Sequence, residues 1–483
     1  MRPRKEFASA CFLTLAALPL PATSATQSAP ASIEDMWKII QQQQKEIEAL
    51  KAKASQTEAL QEEVKTLKQN ANANATSSPP ASKASKGEAE RKTDILASEV
   101  EKLKNALVIP ESREYKSQYG LGPAASQVYK VNRGLSIGGY GEAMYTNYTD
   151  HKGSKRDSAD LLRAVIYAGY KFNDWIILNN EIEFEHASTG EGDEEKGEVS
   201  VEFSQLDFLL HKNANIRAGL MLMPMGFINE MHEPTTFHGN RRPDVERYII
   251  PATWREMGAG LFGEIIPGLQ YRMYAVNGLN AANFSSEGIR EGRQGGSKAL
   301  AENFGYTGRL DYTPEFAPGL LVGASMFLGD AGQSKVAFRG EKLDVFTQLY
   351  EGHLQWHYKG LELRALGAWG HIGDAGKLSA LQGETVGEEN YGWYAEAAYD
   401  LMPVLWKDST QYLAPFFRYE QFDTIARAPS GFDGDGSWDR RIYQGGLTYK
   451  PIPNISIKAD YRNIQAAEGT QPHEFNLGVG FIY

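Results

Sequence analysis

From about residue 134 to the C-terminus the chain repeats one pattern, a segment in which apolar and polar residues alternate. The last such segment reads Phe475-Asn-Leu477-Gly-Val479-Gly-Phe481-Ile-Tyr483. Side chains in a strand repeat with period two, so Phe475, Leu477, Val479, Phe481 and Tyr483 share one face. Glu474, Asn476, Gly478 and Gly480 share the other. Sixteen segments of this kind are legible. They run at about 135–147, 159–172, 175–187, 198–211, 214–223, 256–266, 268–277, 302–313, 318–329, 342–358, 361–371, 391–401, 411–423, 440–450, 453–464 and 473–483. In the fourth the phase breaks near Ser204-Gln205, which predicts a bulge.

The connections decide between a soluble sandwich and a barrel in lipid. They alternate short and long. Asn173-Asp174, His211 to Asn215, Pro267-Gly268, Lys359-Gly360 and Lys450 to Asn454 are short. The stretches near 148–158, 188–197, 224–255, 278–301, 330–341, 372–390, 424–439 and 465–472 are long. Transmembrane barrels have an even strand number, short turns at one end and long loops at the other. A soluble sandwich has no reason to obey that rhythm. The 24 Tyr, 48 Gly and 11% aromatics suit a sheet protein with aromatic girdles. No apolar run of about 18 residues follows the N-terminal region, so helices are not expected to span a membrane.

The N-terminal part reads differently. Arg2, Arg4 and Lys5, then the apolar run Cys11 to Leu20, then Ala-Thr-Ser-Ala ending at Ala25, predict a signal peptide over 1–25. Cys11 is the single cysteine, so the exported chain would hold no disulfide or thiol metal site. Ile33, Met36, Ile40, Ile47 and Leu50 fall at heptad spacing, and Leu60, Val64 and Leu67 continue it after a slip. A coiled-coil helix is expected over 26–70. Residues 71–112 read as a flexible linker with a short helix at Leu96, Val100, Leu103 and Leu107. The predicted fold is all-β: a sixteen-stranded antiparallel transmembrane β-barrel over 134–483, preceded by an N-terminal α-helical coiled coil.

Charge assigns the faces. Asn179, Glu181, Glu183 and Glu185 oppose Ile176, Leu178, Ile182 and Phe184 in the third segment. A charged side chain on a lipid face costs about 2–4 kcal/mol near the midplane, so the charged parity must face the lumen. Basic lumen candidates are Arg163, Arg217, Arg272, Arg309, Arg364, Arg418, Lys458 and Arg462. Acidic ones include Glu181, Glu183, Glu185 and Glu396, with Glu142, Glu202, Asp311, Glu351, Glu362, Glu420 and Asp460. A sixteen-stranded lumen is too wide for side chains alone to fill, so a water-filled pore is expected. The third long connection holds apolar anchors as well as charge. It is expected to fold into the pore, with His238, Arg241, Arg242, Arg247 and Arg255 at the constriction. The planar guanidinium donates two parallel hydrogen bonds, which suits phosphate or carboxylate.

These residues resemble the phosphate-selective porin O and P family of outer-membrane porins, here with an added N-terminal coiled coil. The similarity covers about 134–483. It rests on Gly138-Gly-Tyr140-Gly-Glu142, on Asn240-Arg241-Arg242-Pro243, and on Gly258-Ala-Gly-Leu-Phe-Gly-Glu264 followed by Tyr271 and Asn277-Gly278. The resemblance implies a homotrimer in outer-membrane lipid, loop three folded inward, and passive diffusion of small anionic solutes guided by lumen arginines. The N-terminal coil is similar to that of trimeric dicarboxylate-type porins, which adds a second solute class. Both ends of the barrel chain would then face the periplasm of a Gram-negative cell, with the coil beside them.

Other signals are weaker. Asp433-Gly-Asp435-Gly-Ser-Trp-Asp439 has carboxylates at calcium-like spacing but lacks the full loop and its terminal Glu. Neither Gly-x-Ser-x-Gly nor His-Glu-x-x-His occurs, and the sequence calls for no enzyme activity, cofactor or metal. The net charge of −11 argues against nucleic acid as a partner. The alternative to a porin is a barrel-anchored tether whose coil binds peptidoglycan or a periplasmic protein.

Overall fold

The computed structural model describes residues 115–189 and 197–483. The expected signal peptide, coiled coil and linker lie outside the described residues. In the rest, period-two patterning becomes strands where it was read. The first five are β1 (Gly134–Asp150), β2 (Ser158–Lys171), β3 (Ile176–Glu185), β4 (Val199–His211) and β5 (Ala214–Leu222). Then follow β6 (Arg255–Ile266), β7 (Leu269–Asn277), β8 (Phe304–Tyr312) and β9 (Leu320–Asp330). A two-stranded hairpin, β10 (Ala337–Phe338) and β11 (Glu341–Lys342), decorates the next loop. The remainder are β12 (Phe346–Tyr358), β13 (Leu361–Ile372), β14 (Glu389–Tyr399), β15 (Tyr412–Arg427), β16 (Asp439–Ile452), β17 (Ile455–Ala466) and β18 (His473–Ile482).

All but β10 and β11 form one closed antiparallel barrel, each strand beside its neighbour in sequence. Closure joins β1 to β18, with Tyr140 opposite Ile482. Tyr483 and Gly139 exchange both backbone hydrogen bonds at 2.9 Å, so the C-terminal residue completes the seam. The bulge expected at Ser204-Gln205 lies at Glu202 instead: Glu181 pairs with Phe203 and Ile182 with Val201, leaving Glu202 extra. The extra residue lets both Glu202 and Phe203 point inward.

The barrel is inside-out. Leu477 is 45% exposed on its outer face while the next-door Asn476 is fully buried. Met273, Tyr306 and Leu310 are likewise exposed, while Arg272, Arg309 and Asp311 point in. Outward aromatics form two girdles. Tyr350, Trp369, Trp393, Tyr419 and Tyr443 lie toward the long loops; Tyr170, Trp175, Tyr312, Tyr358 and Tyr399 lie toward the short turns. Neighbouring rings touch, as at Trp393–Tyr419 (5.1 Å) and Tyr419–Tyr443 (5.0 Å). Tyr350 and Tyr358 are eight residues apart on β12. At about 3.4 Å rise and about 40° tilt this spans roughly 21 Å, close to the apolar band of a membrane barrel. Such a surface is built for lipid. Among the described residues no helix is long and apolar enough to cross a membrane.

Two segments fill the lumen. Loop 3, residues 223–254 between β5 and β6, folds inward. Residues 115–133, to which no element was assigned from sequence, cover the inner wall of β1–β5. Their Leu121, Ala124, Ala125, Val128 and Tyr129 pack on Tyr140, Val165, Tyr167, Ile177 and Phe203. Water therefore does not fill the whole cross-section.

Candidate functional site

Loop 3 folds inward because it carries its own apolar core. Met223, Met225, Phe227, Val245, Ile249, Ile250 and Trp254 are buried in the main cluster. Asn229 clasps the two ends of the loop. Its Nδ2 donates to the carbonyls of Met223 (2.6 Å) and Trp254 (2.9 Å), and its Oδ1 accepts from the Trp254 N–H. Gly226 has φ +67°, and a Cβ there would strike the Glu246 carboxylate, so the turn requires glycine.

Charged residues of the wall then pin the loop by its backbone. Glu420 on β15 accepts from the N–H of Asp244 at 2.6 Å. Asp460 on β17 accepts from the N–H and Nδ2 of Asn240 at 2.8 and 2.6 Å. Arg418 donates to the carbonyls of His238 (3.3 Å) and Arg241 (2.9 Å). Lys458 donates to the carbonyl of Gly239 at 2.9 Å. Glu181 takes His232 Nε2 at 3.1 Å, and Glu246 accepts from the Tyr394 hydroxyl at 2.7 Å. Loop 3 is thus tied to the wall on opposite sides of the lumen.

Most wall arginines are spent on carboxylates, either of the wall itself or of loop 3. Arg217, 2% exposed, forms a two-toothed pair with Asp207 at 2.8 Å. Arg163 lies 3.1 Å from Glu142 and 3.4 Å from Glu183. Arg272 bridges Glu230 and Asp311. Arg309 pairs with Asp311 at 2.8 Å. Arg418 pairs with Glu396 at 3.0 Å and Glu420 at 2.9 Å. Arg462 pairs with Asp244 at 3.0 Å and Glu474 at 3.1 Å. Lys458 sits 3.8 Å over the Phe237 ring.

The expected constriction residues divide among three places. Arg241, Arg242 and Arg247 line one cavity of about 560 Å³ on the long-loop side, which also takes in Arg163, Glu185 and Arg462. His238 faces a separate cavity on the short-turn side, between Thr448 and Glu362 and stacked on Phe416 at 5.3 Å. Arg255 lines neither; it belongs to β6 and lies 2.6 Å from Glu202.

The long-loop cavity also gathers Lys155, Arg290 and Arg440, which sequence reading did not single out. Arg290 comes from the loop after β7 and Arg440 from the start of β16; only closure of the barrel brings them together. Eight cationic side chains there face five carboxylates. Four of the eight, Lys155 with Arg242, Arg247 and Arg440, have no carboxylate within 4.0 Å among the described residues, and Lys155 lies 5.3 Å over the Tyr148 ring. Arg242 donates to the carbonyl of His232, Arg247 lies over the Tyr248 ring, and Arg440 lies 4.0 Å over Trp438. The field they make is felt by their neighbours. Burial, then the charges of Arg293 and Arg247, push the Arg290 guanidinium down to about 9. Burial would raise the Asp244 carboxyl, but Arg462, then Arg247 and Arg440, hold it below its ordinary value. Convergent guanidinium groups with surplus positive charge suit an anion with planar or tetrahedral oxygens.

No family model matches the chain. Among solved structures it is similar to OmpF of Salmonella typhi in complex with daunomycin, with TM-score 0.51 and 15% identity over 73% of this chain and 98% of that one. The outer membrane channel DcaP of Acinetobacter baumannii aligns with TM-score 0.47 and 12% identity over 72% and 97% of the two chains. The likeness to OmpF is one of fold. In sequence, an uncharacterized protein of Aquifex aeolicus (strain VF5) is 38% identical over 372 residues, covering 74% of this chain and 82% of that protein. This chain belongs to the family of that Aquifex aeolicus protein.

Proposed function

We propose that this chain is an outer-membrane porin, a channel and not an enzyme, that passes small anionic solutes of phosphate or carboxylate type. The observation that carries the reading is the long-loop cavity, where Arg242, Arg247 and Arg440 face the lumen without carboxylate partners. The lipid-type outer surface, the in-folded third loop and the OmpF-like fold support a channel. The Asn240-Arg241-Arg242-Pro243 stretch supports the resemblance to phosphate-selective porins, because Asn240 is locked to Asp460 and thereby holds Arg241 and Arg242 at the cavity. In this reading the molecule is a homotrimer, its short turns face the periplasm, and the solute enters from the long-loop side. Solutes are drawn in by the surplus positive charge and pass the edge of loop 3.

The test is the reversal potential of the purified full-length protein in a planar bilayer under a KCl gradient. An anion-selective value is expected. A cation-selective value would mean that the carboxylates govern the path and would overturn the reading.

A further inference from the structure

The cavity on the other side of loop 3, about 320 Å³, has a different chemistry. Its cations are Arg364 on β13 and Lys450 on β16, and among the described residues neither has a carboxylate within 4.0 Å. Arg364 donates to the carbonyl of Thr236 at 3.0 Å and lies 4.9 Å over the Phe227 ring. Lys450 donates to the carbonyl of the adjacent Thr235 at 2.9 Å and lies 4.9 Å over the Tyr412 ring. Both brace the same turn of loop 3 and both keep donors to spare, since a guanidinium has five and an ammonium three. Arg364 Nε is buried without a partner.

The carboxylates of this cavity, by contrast, are occupied. Glu396 is held by Arg418 at 3.0 Å. Glu362 accepts from the Tyr412 hydroxyl at 2.7 Å and lies 3.3 Å from His238 Nε2. Arg418 is shared between Glu396 and Glu420, so Arg364 and Lys450 face two carboxylates whose oxygens are already engaged. Phe227, Met231, Phe237 and Leu363 give the wall an apolar part, beside the uncharged polar Thr235, Thr236 and Gln355.

We infer that this cavity binds a small organic monocarboxylate with an apolar body. The carboxylate sits between Arg364 and Lys450, and the body lies against Phe227, Met231 and Leu363. The spare donors of the two adjacent cations suit the two oxygens of one carboxylate. An inorganic ion would leave the apolar part of the wall unused, and burying apolar surface is favourable in its own right. The inference rests on the channel reading above and narrows its solute class.

The experiment is block of KCl current through the full-length protein in planar bilayers by benzoate, acetate and phosphate. Benzoate is expected to reach half-block at a concentration at least about tenfold below the other two, the size of step that one good apolar contact supplies. Arg364→Gln and Lys450→Gln are each expected to raise that concentration by about tenfold, the loss of one charge-assisted hydrogen bond. Arg364→Lys, which keeps the charge and a donor for Thr236, should recover most of the block. Equal block by benzoate and acetate in the unaltered protein overturns the inference, as does unchanged benzoate block in both glutamine variants. Reversal potentials from the same membranes separate the two failures. A cation-selective channel sinks the anion-porin reading, while an anion-selective channel indifferent to benzoate sinks only this one.

Discussion

Arg217 and Arg242 carry the same charge in opposite situations. Arg217 is buried between β4 and β5, paired with Asp207 and 3.4 Å from the hydroxyls of Tyr129 and Tyr274. Removing one partner of a buried pair leaves the other charge stranded, at a cost of about 3–5 kcal/mol. Arg217→Leu is therefore expected to lower barrel stability by about that amount, read as an earlier heat-induced shift in gel mobility. Arg242 donates to one backbone carbonyl, so Arg242→Gln should cost only about 1 kcal/mol. It should instead move the reversal potential toward zero, because it removes one of the uncompensated charges of the long-loop cavity. Reversed effects would break the distinction between paired and free arginines. Strand parity pointed to Arg217 and the content of loop 3 to Arg242, but neither signal told a paired arginine from an unpaired one. Asp207 faces Arg217 directly across a tight turn, yet the bulge at Glu202 shifts the phase of β4 and hides that pairing from a simple alternation count.

At the scale of elements, two insertions meet in the lumen. Glu233 of loop 3 accepts from the N–H groups of Ala124 (2.9 and 3.0 Å) and Ala125 (3.1 Å) in the N-terminal segment. Burial pushes its carboxyl up to about 7, against the pull of those two donors. The charged and titratable groups around it are Glu181, His232 and Tyr167. Burial alone would lower the His232 imidazole, but the charge of Glu181 and its hydrogen bond raise it. Glu233 binds a proton more tightly with the segment docked than undocked, whereas the His232 shift is set by Glu181 of the wall and not by the segment. The stability Glu233 lends to docking is full below its ordinary value and falls as pH rises through the raised one. For Glu233 that window runs from the ordinary 4.5 to about 7. Amide exchange over 115–130, corrected for its intrinsic pH dependence, should show protection decreasing from pH 5 to pH 8. Glu233→Gln should flatten the part of the trend below neutrality, and an unaltered trend in that variant would remove Glu233 as its source. Loop 3 was legible from its apolar anchors and its length. The N-terminal segment left two traces that only make sense together. Leu121, Ala124, Ala125 and Val128 fall at helical spacing, and Tyr140, Val165 and Tyr167 are apolar at positions that parity sends to the lumen. An apolar patch on a wall meant for water implies a cover, though only one short helical turn, Gln127–Lys130, forms within it.

For the whole molecule, the barrel follows from rules that a single chain displays openly: period two, alternating connection length and an even strand count. The strand edges read from sequence fall within a few residues of those observed, except where a loop structure takes over, as at the small hairpin β10–β11 ahead of β12. What fills the barrel follows from contacts between segments far apart in sequence. That is why the cavity containing Arg247, Arg290 and Arg440 could not be assembled from the sequence alone. The same division governs stability and conduction. Ladder hydrogen bonds close the barrel all the way round whether or not the interior is filled, so loosening the filling should change conduction before it changes the fold. Leu121 and Val128 are buried against the lumen wall at 1% and 2% exposure. Replacing both by Asp puts two carboxylates into an apolar contact where a neutral partner is absent, and burying an unpaired charge is prohibitive. The segment is then expected to leave the wall, widening the water path beside β1–β5. Single-channel conductance of the Leu121→Asp, Val128→Asp double variant should rise above that of the unaltered protein while its heat-stable gel mobility persists. If the conductance stays the same, the segment does not bound the path, and the route must run entirely along the β12–β18 side of loop 3.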